Sequence, residues 1–142
     1  MNRKIFALVL AMTVVLSALA VGGGEKSVVT PTSALQWKNA GVPGVSTAVV
    51  SGDMAKGASR FYLKYAAGLV TPAHHHSPDH YVTTISGILV LTVDGKEHKL
   101  TPGSYFALTG KAPHVARCDG SEDCVMFIES QAPWDVVLEE KK

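Results

Sequence analysis

The chain has little charge and lacks any cluster of basic residues. Only 18% of its 142 residues are charged, and 13 lysines and arginines stand beside 12 aspartates and glutamates. Without Arg3 and Lys4, which lie in the leader described next, 11 basic residues remain against 12 acidic ones, a formal charge of −1. A protein that binds nucleic acid or anionic lipid usually carries a basic patch. We therefore expect no nucleic-acid partner.

Long hydrophobic runs are absent except near the beginning of the chain. Arg3 and Lys4 precede an apolar run at residues 5–19, and Ala18-Leu19-Ala20 has the small-x-small pattern of a cleavage site. These features predict a secretory signal peptide at residues 1–20. The alternative is a retained membrane anchor, but the run is shorter than the ~20 residues that a spanning helix needs. We expect a secreted or periplasmic protein with no stable membrane anchor.

Cysteine is scarce as well, with Cys118 and Cys124 the only two in the sequence. An oxidising compartment favours a disulfide between them, across a hairpin that turns at Asp119-Gly120. A thiolate metal ligand and a reactive thiolate are the alternatives. Because the closed loop is short, the entropic stabilisation by such a disulfide would be modest.

Helical periodicity is rare, and short runs rich in Val, Ile, Thr, Tyr and Phe recur between Gly, Pro, Asp and Asn. Asp94-Gly95 is the best hairpin signal, since this pair suits a type I′ turn. We predict strands at residues 35–38, 45–50, 59–66, 71–76, 81–86, 88–93, 97–100, 105–108, 115–118 and 125–129. Such spacing is typical of an all-β antiparallel sandwich or barrel. The expected plan is a flexible N-terminus at residues 21–32, one β-barrel domain at 33–136 and a C-terminal tail at 137–142.

Histidines form the most informative pattern that the chain does contain. In an extended segment, two-residue spacing places His74 and His76 on one face and His75 on the other. His80 follows after the turn Ser77-Pro78-Asp79, and His114 follows Pro113. Neutral imidazole is a strong nitrogen donor to Zn, Fe, Ni, Mn and Cu. We predict that a divalent transition metal is bound by His74, His76, His80 and His114.

The segment from Gly68 to Gly87 reads G-x5-H-x-H-x3-H-x6-G and resembles the first motif of the cupin superfamily. The segment from Pro102 to His114, P-G-S-Y-F-A-L-T-G-K-A-P-H, is similar to the second motif. The resemblance covers roughly residues 45–129. Residues 36–44, Gly52-Asp53 and Pro133-Trp134 also resemble a group of small secreted bacterial cupins related to the cupin domain of ChrR-type anti-sigma factors.

Four positions depart from the usual cupin pattern. His80 stands where most cupins have Glu, and Cys118 stands where Asn is usual. Thr109 and Lys111 occupy positions where many cupins carry Pro and Gly, so the loop there is expected to differ in shape.

The resemblance implies a small cupin-type barrel, a double-stranded β-helix or jelly roll, with the metal held inside one mouth by the four histidines. It also implies a homodimer, since cupins commonly pair. Four neutral ligands would leave the charge of a divalent ion uncompensated, which favours anionic oxygen ligands and raises Lewis acidity.

Three functions follow as hypotheses. The first is a metal-dependent enzyme, dioxygenase-like, acting on a small polar molecule. No obvious general base accompanies the histidines, since we expect Asp79 to shape the turn before His80. The absence of a general base is equally compatible with the alternative, a non-catalytic module that binds a metal or small-molecule ligand, or acts as a sensor. A metal-free structural barrel is the third.

Overall fold

Two antiparallel sheets face each other around one core in the computed structural model, which describes residues 27–140. The predicted signal peptide therefore lies outside the described residues. Within them, no helix has the length and hydrophobicity of a transmembrane span. A short 3-10 helix at Thr32–Ala34 comes first. The strands that follow are β1 Lys38–Asn39, β2 Val45–Gly52, β3 Ser59–Tyr65, β4 His74–His75, β5 His80–Ser86, β6 Ile88–Val93, β7 Lys96–Leu100, β8 Tyr105–Leu108, β9 His114–Asp119, β10 Cys124–Ser130 and β11 Val137–Leu138.

Strands that are distant in sequence lie side by side in both sheets. The six-stranded sheet has the order β1-β2-β3-β10-β5-β8, and the five-stranded sheet has the order β11-β4-β9-β6-β7. All the pairings are antiparallel. This arrangement confirms the expected all-β jelly-roll barrel.

The core follows from alternation along the long strands. In β3 and β10 every second side chain is buried, as expected for a strand with one face toward a packed interior. The buried apolar residues include Phe61, Leu63, Leu89, Met126 and Ile128. Burying each such side chain contributes about 1.5–3 kcal/mol, so this layer holds the two sheets together.

The predicted disulfide joins the sheets at one end of the barrel. Cys118 of β9 and Cys124 of β10 are bonded, with their Cα atoms 5.6 Å apart. Because β9 and β10 belong to different sheets, the segment between the two cysteines connects the sheets and is not the predicted hairpin. Gly87 packs against this connection with a φ of +72°, and a Cβ there would lie 2.6 Å from the carbonyl oxygen of Asp123. Only glycine fits this close approach without strain. His114 begins the strand that Cys118 nearly ends, so the histidines lie at the opposite end.

The β6–β7 hairpin has the predicted turn, with φ of +50° at Asp94 and +72° at Gly95. The predicted strand at residues 71–76 is shorter, covering only His74–His75. Pro72 explains the difference, because it has no backbone N–H to donate to a ladder. The predicted strand at 35–38 is replaced by Lys38–Asn39.

The end of the chain differs most from expectation. Residues 137–142 were predicted to form a tail, yet Val137–Leu138 pairs with β4. The backbone N–H of Glu139 also donates to the carbonyl of Ala73 at 2.9 Å. A two-residue strand has no recognisable periodicity, and its partner strand is remote in sequence. No local sequence pattern therefore predicts it.

Candidate metal centre

Both sheets contribute histidines to one mouth of the barrel. His74 of β4 lies directly opposite His114 of β9 in the five-stranded sheet. His76 follows β4, and His80 begins β5 in the six-stranded sheet. All four are buried, with relative exposures between 3% and 6%.

Three of these side chains form a tight cluster. One nitrogen each of His74, His76 and His114 lies within 4.8 Å of the other two. The ring centroids are 4.4 Å apart for His74 and His114, and 5.0 Å apart for His74 and His76. His80 lies beside this trio, with its ring centroid 5.0 Å from that of His76 and 6.2 Å from that of His114. The structure thus brings all four predicted ligands together, three of them more closely than the fourth.

Each of the four imidazoles has its Nδ1 against a backbone carbonyl oxygen. The partners are Pro72 for His74 (2.8 Å), Asp135 for His76 (2.5 Å), Pro78 for His80 (3.1 Å) and Ala112 for His114 (2.9 Å). A carbonyl only accepts, so each Nδ1 carries the proton and donates it. Each Nε2 is then the unprotonated nitrogen, able to coordinate. Metal-ligating histidines are typically fixed in tautomer and orientation by such a second hydrogen bond.

Local sequence explains three of these four hydrogen bonds. The carbonyls that accept from His74, His80 and His114 each belong to the residue two positions before the histidine. A proline lies one or two residues before each of these histidines, at Pro72, Pro78 and Pro113. Because proline restricts φ, it favours a bent backbone whose carbonyl can face the following ring. A proline shortly before each histidine is therefore a sequence signal for rings that are oriented by a local backbone carbonyl.

Burial keeps the four rings neutral. Desolvation, assisted by the neighbouring imidazoles and opposed by the carbonyl hydrogen bond, lowers the pKa of His76 to about 3 and that of His114 to about 4. Desolvation also lowers the pKa of His74 and of His80, opposed in each case by the carbonyl hydrogen bond. A neutral ring is the form that binds a metal. The donor set therefore fits a borderline divalent transition metal, with nitrogen ligands already in the coordinating tautomer.

A segment near the C-terminus, residues 134–139, covers the cluster, and we call it the C-terminal strap. The indole of Trp134 stacks on the ring of His76 at a centroid distance of 3.9 Å and an angle of 23°. The carbonyl oxygen of Asp135 accepts a hydrogen bond from Nδ1 of His76, and its carboxylate accepts from the backbone N–H (2.7 Å) and hydroxyl (2.5 Å) of Ser77. These two hydrogen bonds hold the pKa of Asp135 below its ordinary value.

The strap continues into β11 and reaches His75. The carboxylate of Glu139 contacts Nδ1 of His75 at 2.5 Å, and only 19% of the His75 side chain is exposed. His75 points away from the trio, as alternation predicts, but Glu139 covers it. The contacts of Trp134 and Glu139 with the histidine segment were not expected from the sequence, since residues 137–142 were expected to form a tail.

A second loop supports the opposite side of the centre. The carboxylate of Asp79 accepts from the backbone N–H of Gly110 at 2.6 Å, so Asp79 joins the turn before His80 to the loop before β9. The N–H of Lys111 donates to the carbonyl of His76 at 2.8 Å. Lys111 has a φ of +66°, a left-handed conformation that glycine adopts more easily. This is the position where many cupins carry Gly.

A cavity of about 420 Å³ opens beside His74 and His76. Its lining is mostly apolar, with Val42, Val45, Leu63, Trp134, Val136 and Leu138 among its members. A smaller inner cavity of about 30 Å³ touches His76, His80 and His114. Trp134 and Tyr65 line both spaces, and burial raises the pKa of Tyr65 to about 12, so its phenol stays neutral.

Comparison with known families gives an independent assignment. Residues 61–129, which hold the histidine strands and most of the core, match the family model Cupin_2, the cupin domain. The matched segment is similar to a cupin domain. No curated protein matches the chain significantly.

Solved cupin structures agree with the fold of this chain. The polyketide cyclase RemF from Streptomyces resistomycificus has a TM-score of 0.66 and 15% identity, over 82% of this chain and 88% of its own. An RmlC-like cupin from Shewanella frigidimarina NCIMB 400 has a TM-score of 0.61 and 16% identity, over 73% and 88%. Salicylate 1,2-dioxygenase from Pseudoaminobacter salicylatoxidans, in complex with gentisate, has a TM-score of 0.60 and 17% identity, over 71% of this chain and 31% of its own. At these identities the likeness extends to the fold alone.

Proposed function

We propose that the cupin domain binds one divalent transition metal through His74, His76 and His114, with His80 as a fourth ligand. The observation that carries this proposal is the set of four buried, neutral imidazoles whose Nδ1 atoms all donate to backbone carbonyls. This all-nitrogen set favours Zn, Fe, Ni, Mn or Cu over Mg and Ca, which prefer oxygen ligands.

We further propose that the protein is a metal-dependent enzyme, dioxygenase-like, whose substrate has an apolar body and an oxygen donor. When bound, the metal would act as a Lewis acid toward that oxygen. The apolar lining of the 420 Å³ cavity would hold the body of the substrate and exclude water around it. A wholly polar substrate, as the sequence suggested, suits this lining less well. Among the similar structures, one holds gentisate and another is a polyketide cyclase, so the fold accommodates ring compounds elsewhere.

One observation favours the alternative, a non-catalytic binding or sensor module. Three carboxylates on the segments around the histidines have structural partners: Asp79 accepts from Gly110, Asp135 accepts from Ser77, and Glu139 contacts His75. These partners compete with service as a general base. A reaction with dioxygen does not require a separate acid–base pair, whereas a lyase or hydrolase generally does.

Metal content is the first test. We expect one metal per chain in protein purified from its native host without added metal, and a loss of about 100-fold or more in affinity for His114→Ala, since changes to outer hydrogen-bond partners alone cost 10–100-fold. His98→Ala is the matched control, because His98 lies on the exposed strand β7. Equal affinity in both variants would disprove the site.

Turnover separates the two functions. Protein loaded with Fe, Ni, Cu, Mn or Zn would be assayed for oxygen uptake with diketones, flavonoids and thiols. Oxygen uptake that requires the metal supports the enzyme. Full metal occupancy, four protein ligands, no exchangeable water and no turnover would support the binding module instead.

We also propose that the protein is secreted or periplasmic. The leader-like pattern of residues 1–20 and the Cys118–Cys124 disulfide both suit an oxidising compartment. The mass of the mature protein tests this, since cleavage after Ala20 gives a defined loss, and a full-length cytoplasmic product contradicts it.

A further inference from the structure

Trp134 lies where the two cavities at the centre meet. It lines the apolar cavity of about 420 Å³ and also the inner one of about 30 Å³. The inner cavity has room for about one or two water molecules and no organic ligand. An organic ligand that approaches the histidines must therefore occupy the larger cavity, with the indole as part of its wall.

The indole is held from several directions. It stacks on His76, meets His80 edge-on at 5.1 Å and 88°, and meets Phe61 edge-on at 5.1 Å and 69°. The backbone N–H of Trp134 donates to the carbonyl of Met54 at 2.7 Å. Aromatic contacts of this kind favour a defined ring position. The ring is therefore a fixed boundary of the cavity.

We propose that Trp134 determines the size of the organic ligand that reaches the metal centre. The ligand class is a planar, apolar body that carries an anionic oxygen-donor pair at one end. The apolar lining suits the body, and the uncompensated charge of a metal held by neutral ligands suits the donors. This inference rests on the metal site proposed above.

A series of hydroxamates tests the proposal, since acetohydroxamate, benzohydroxamate and 2-naphthohydroxamate present the same two oxygens on bodies of increasing size. Each would be titrated into Co²⁺-loaded full-length protein and followed by the visible absorption of Co²⁺. In the wild type we expect benzohydroxamate to bind about 10-fold more tightly than acetohydroxamate. We expect 2-naphthohydroxamate to bind more weakly than benzohydroxamate. The reason is that one methylene more or less in an apolar pocket already changes affinity 10–200-fold.

For Trp134→Ala we expect the ratio of the naphtho to the benzo dissociation constant to fall by about fivefold or more. The affinity for acetohydroxamate, which has no ring to meet the wall, should change less than about twofold. Trp134→Phe, which keeps a smaller aromatic ring, should lie between the two. If the melting curve of Trp134→Ala shows that this variant does not fold, Trp134→Phe is used for the test in its place.

Trp37→Ala is the matched control, because Trp37 packs against Tyr62 and does not line the cavity. An unchanged naphtho-to-benzo ratio in Co²⁺-loaded Trp134 variants would overturn the inference and leave the metal site standing. So would a parallel loss for all three hydroxamates, because that result means that Trp134 acts only on His76. Failure of the wild type to bind Co²⁺ would overturn the metal site and this inference with it.

Discussion

The two ends of the barrel are closed in different ways. At one end, Cys118 and Cys124 are bonded across the short connection between β9 and β10, and Gly87 packs against them. At the other end, four buried histidines converge from both sheets and the C-terminal strap lies over them. The first end is covalent and local in sequence. The second depends on buried polar groups, which are costly unless they are satisfied.

This contrast indicates where stability and function are in conflict. The disulfide stabilises the fold by constraining the unfolded chain, and this stabilisation does not depend on a bound ligand. The histidine end keeps three imidazole nitrogens within 4.8 Å of one another, with His80 beside them, an arrangement that a metal would satisfy. We therefore expect the histidine end to be the weaker one in metal-free protein and the stronger one in loaded protein.

Metal removal should have the largest effect. A metal present at 100 to 1,000 times its Kd adds about 2.7–4.1 kcal/mol to the free energy of unfolding. Chelation should lower Tm accordingly, and Zn²⁺ or Co²⁺ should restore it. Differential scanning calorimetry with and without a chelator measures this, with His114→Ala as the control that should no longer respond. If chelator left Tm unchanged, the two ends would not differ in their dependence on metal, and the expected contrast would be wrong.

Acid should weaken the metal-free histidine end next. In the unfolded chain histidine titrates near 6.5, whereas burial lowers the pKa of His76 to about 3 and of His114 to about 4 in the folded state. Between these values the unfolded state binds more protons, so stability falls as pH falls from about 7 toward 4.

The urea midpoint of chelator-treated protein at pH 7 and pH 5 measures this dependence. We expect a lower midpoint at pH 5, and a smaller difference in His114→Gln, which has one fewer buried imidazole. A midpoint that does not change between these pH values would contradict the buried, neutral state of the cluster.

Reduction of the disulfide should have a smaller effect than metal removal. Closing a loop of this length stabilises by about 2 kcal/mol in the chain-entropy model. Urea unfolding of Cys118→Ser/Cys124→Ser measures the loss, and metal affinity in the same variant should stay within about twofold, because the two ends are separated by the length of β9. A large loss of metal affinity would show that the ends are coupled.

The smallest effect is expected at Lys111. Its φ of +66° is unfavourable for a residue with a Cβ, so Lys111→Gly should relieve strain of about 1 kcal/mol at a cost in unfolded-chain entropy. We expect Tm to stay level or rise slightly, with metal affinity unchanged. Lys56→Gly, in an exposed loop, is the control for the entropy term. A clear loss in Lys111→Gly alone would mean that the lysine side chain contributes to the loop.

Local patterns were sufficient for most of the barrel. The Asp94-Gly95 turn, the alternation in β3 and the cysteine pair all act over a few residues, and each is present as predicted. Two-residue spacing predicted that His74 and His76 share one face of a strand, and the resemblance to cupins implied that all four rings lie in one mouth. The predicted strand at residues 71–76 is too long, because the effect of Pro72 is stronger than the strand preference of the surrounding β-branched residues.

Long-range partners could not be predicted in this way. The carbonyl that orients His76 belongs to Asp135, 59 residues away, and backbone atoms carry no sequence signal. The same is true of β11, whose two residues become a strand only because β4 offers an open edge.

The sequence by itself determined which side chains can coordinate, because imidazole chemistry and the period of a strand are local properties. Only the tertiary structure decided that Trp134 packs on His76 and that the strap closes the cavity. Those contacts depend on how the two sheets fold over each other, and their free energy comes from burial between segments that are neighbours only in the folded chain.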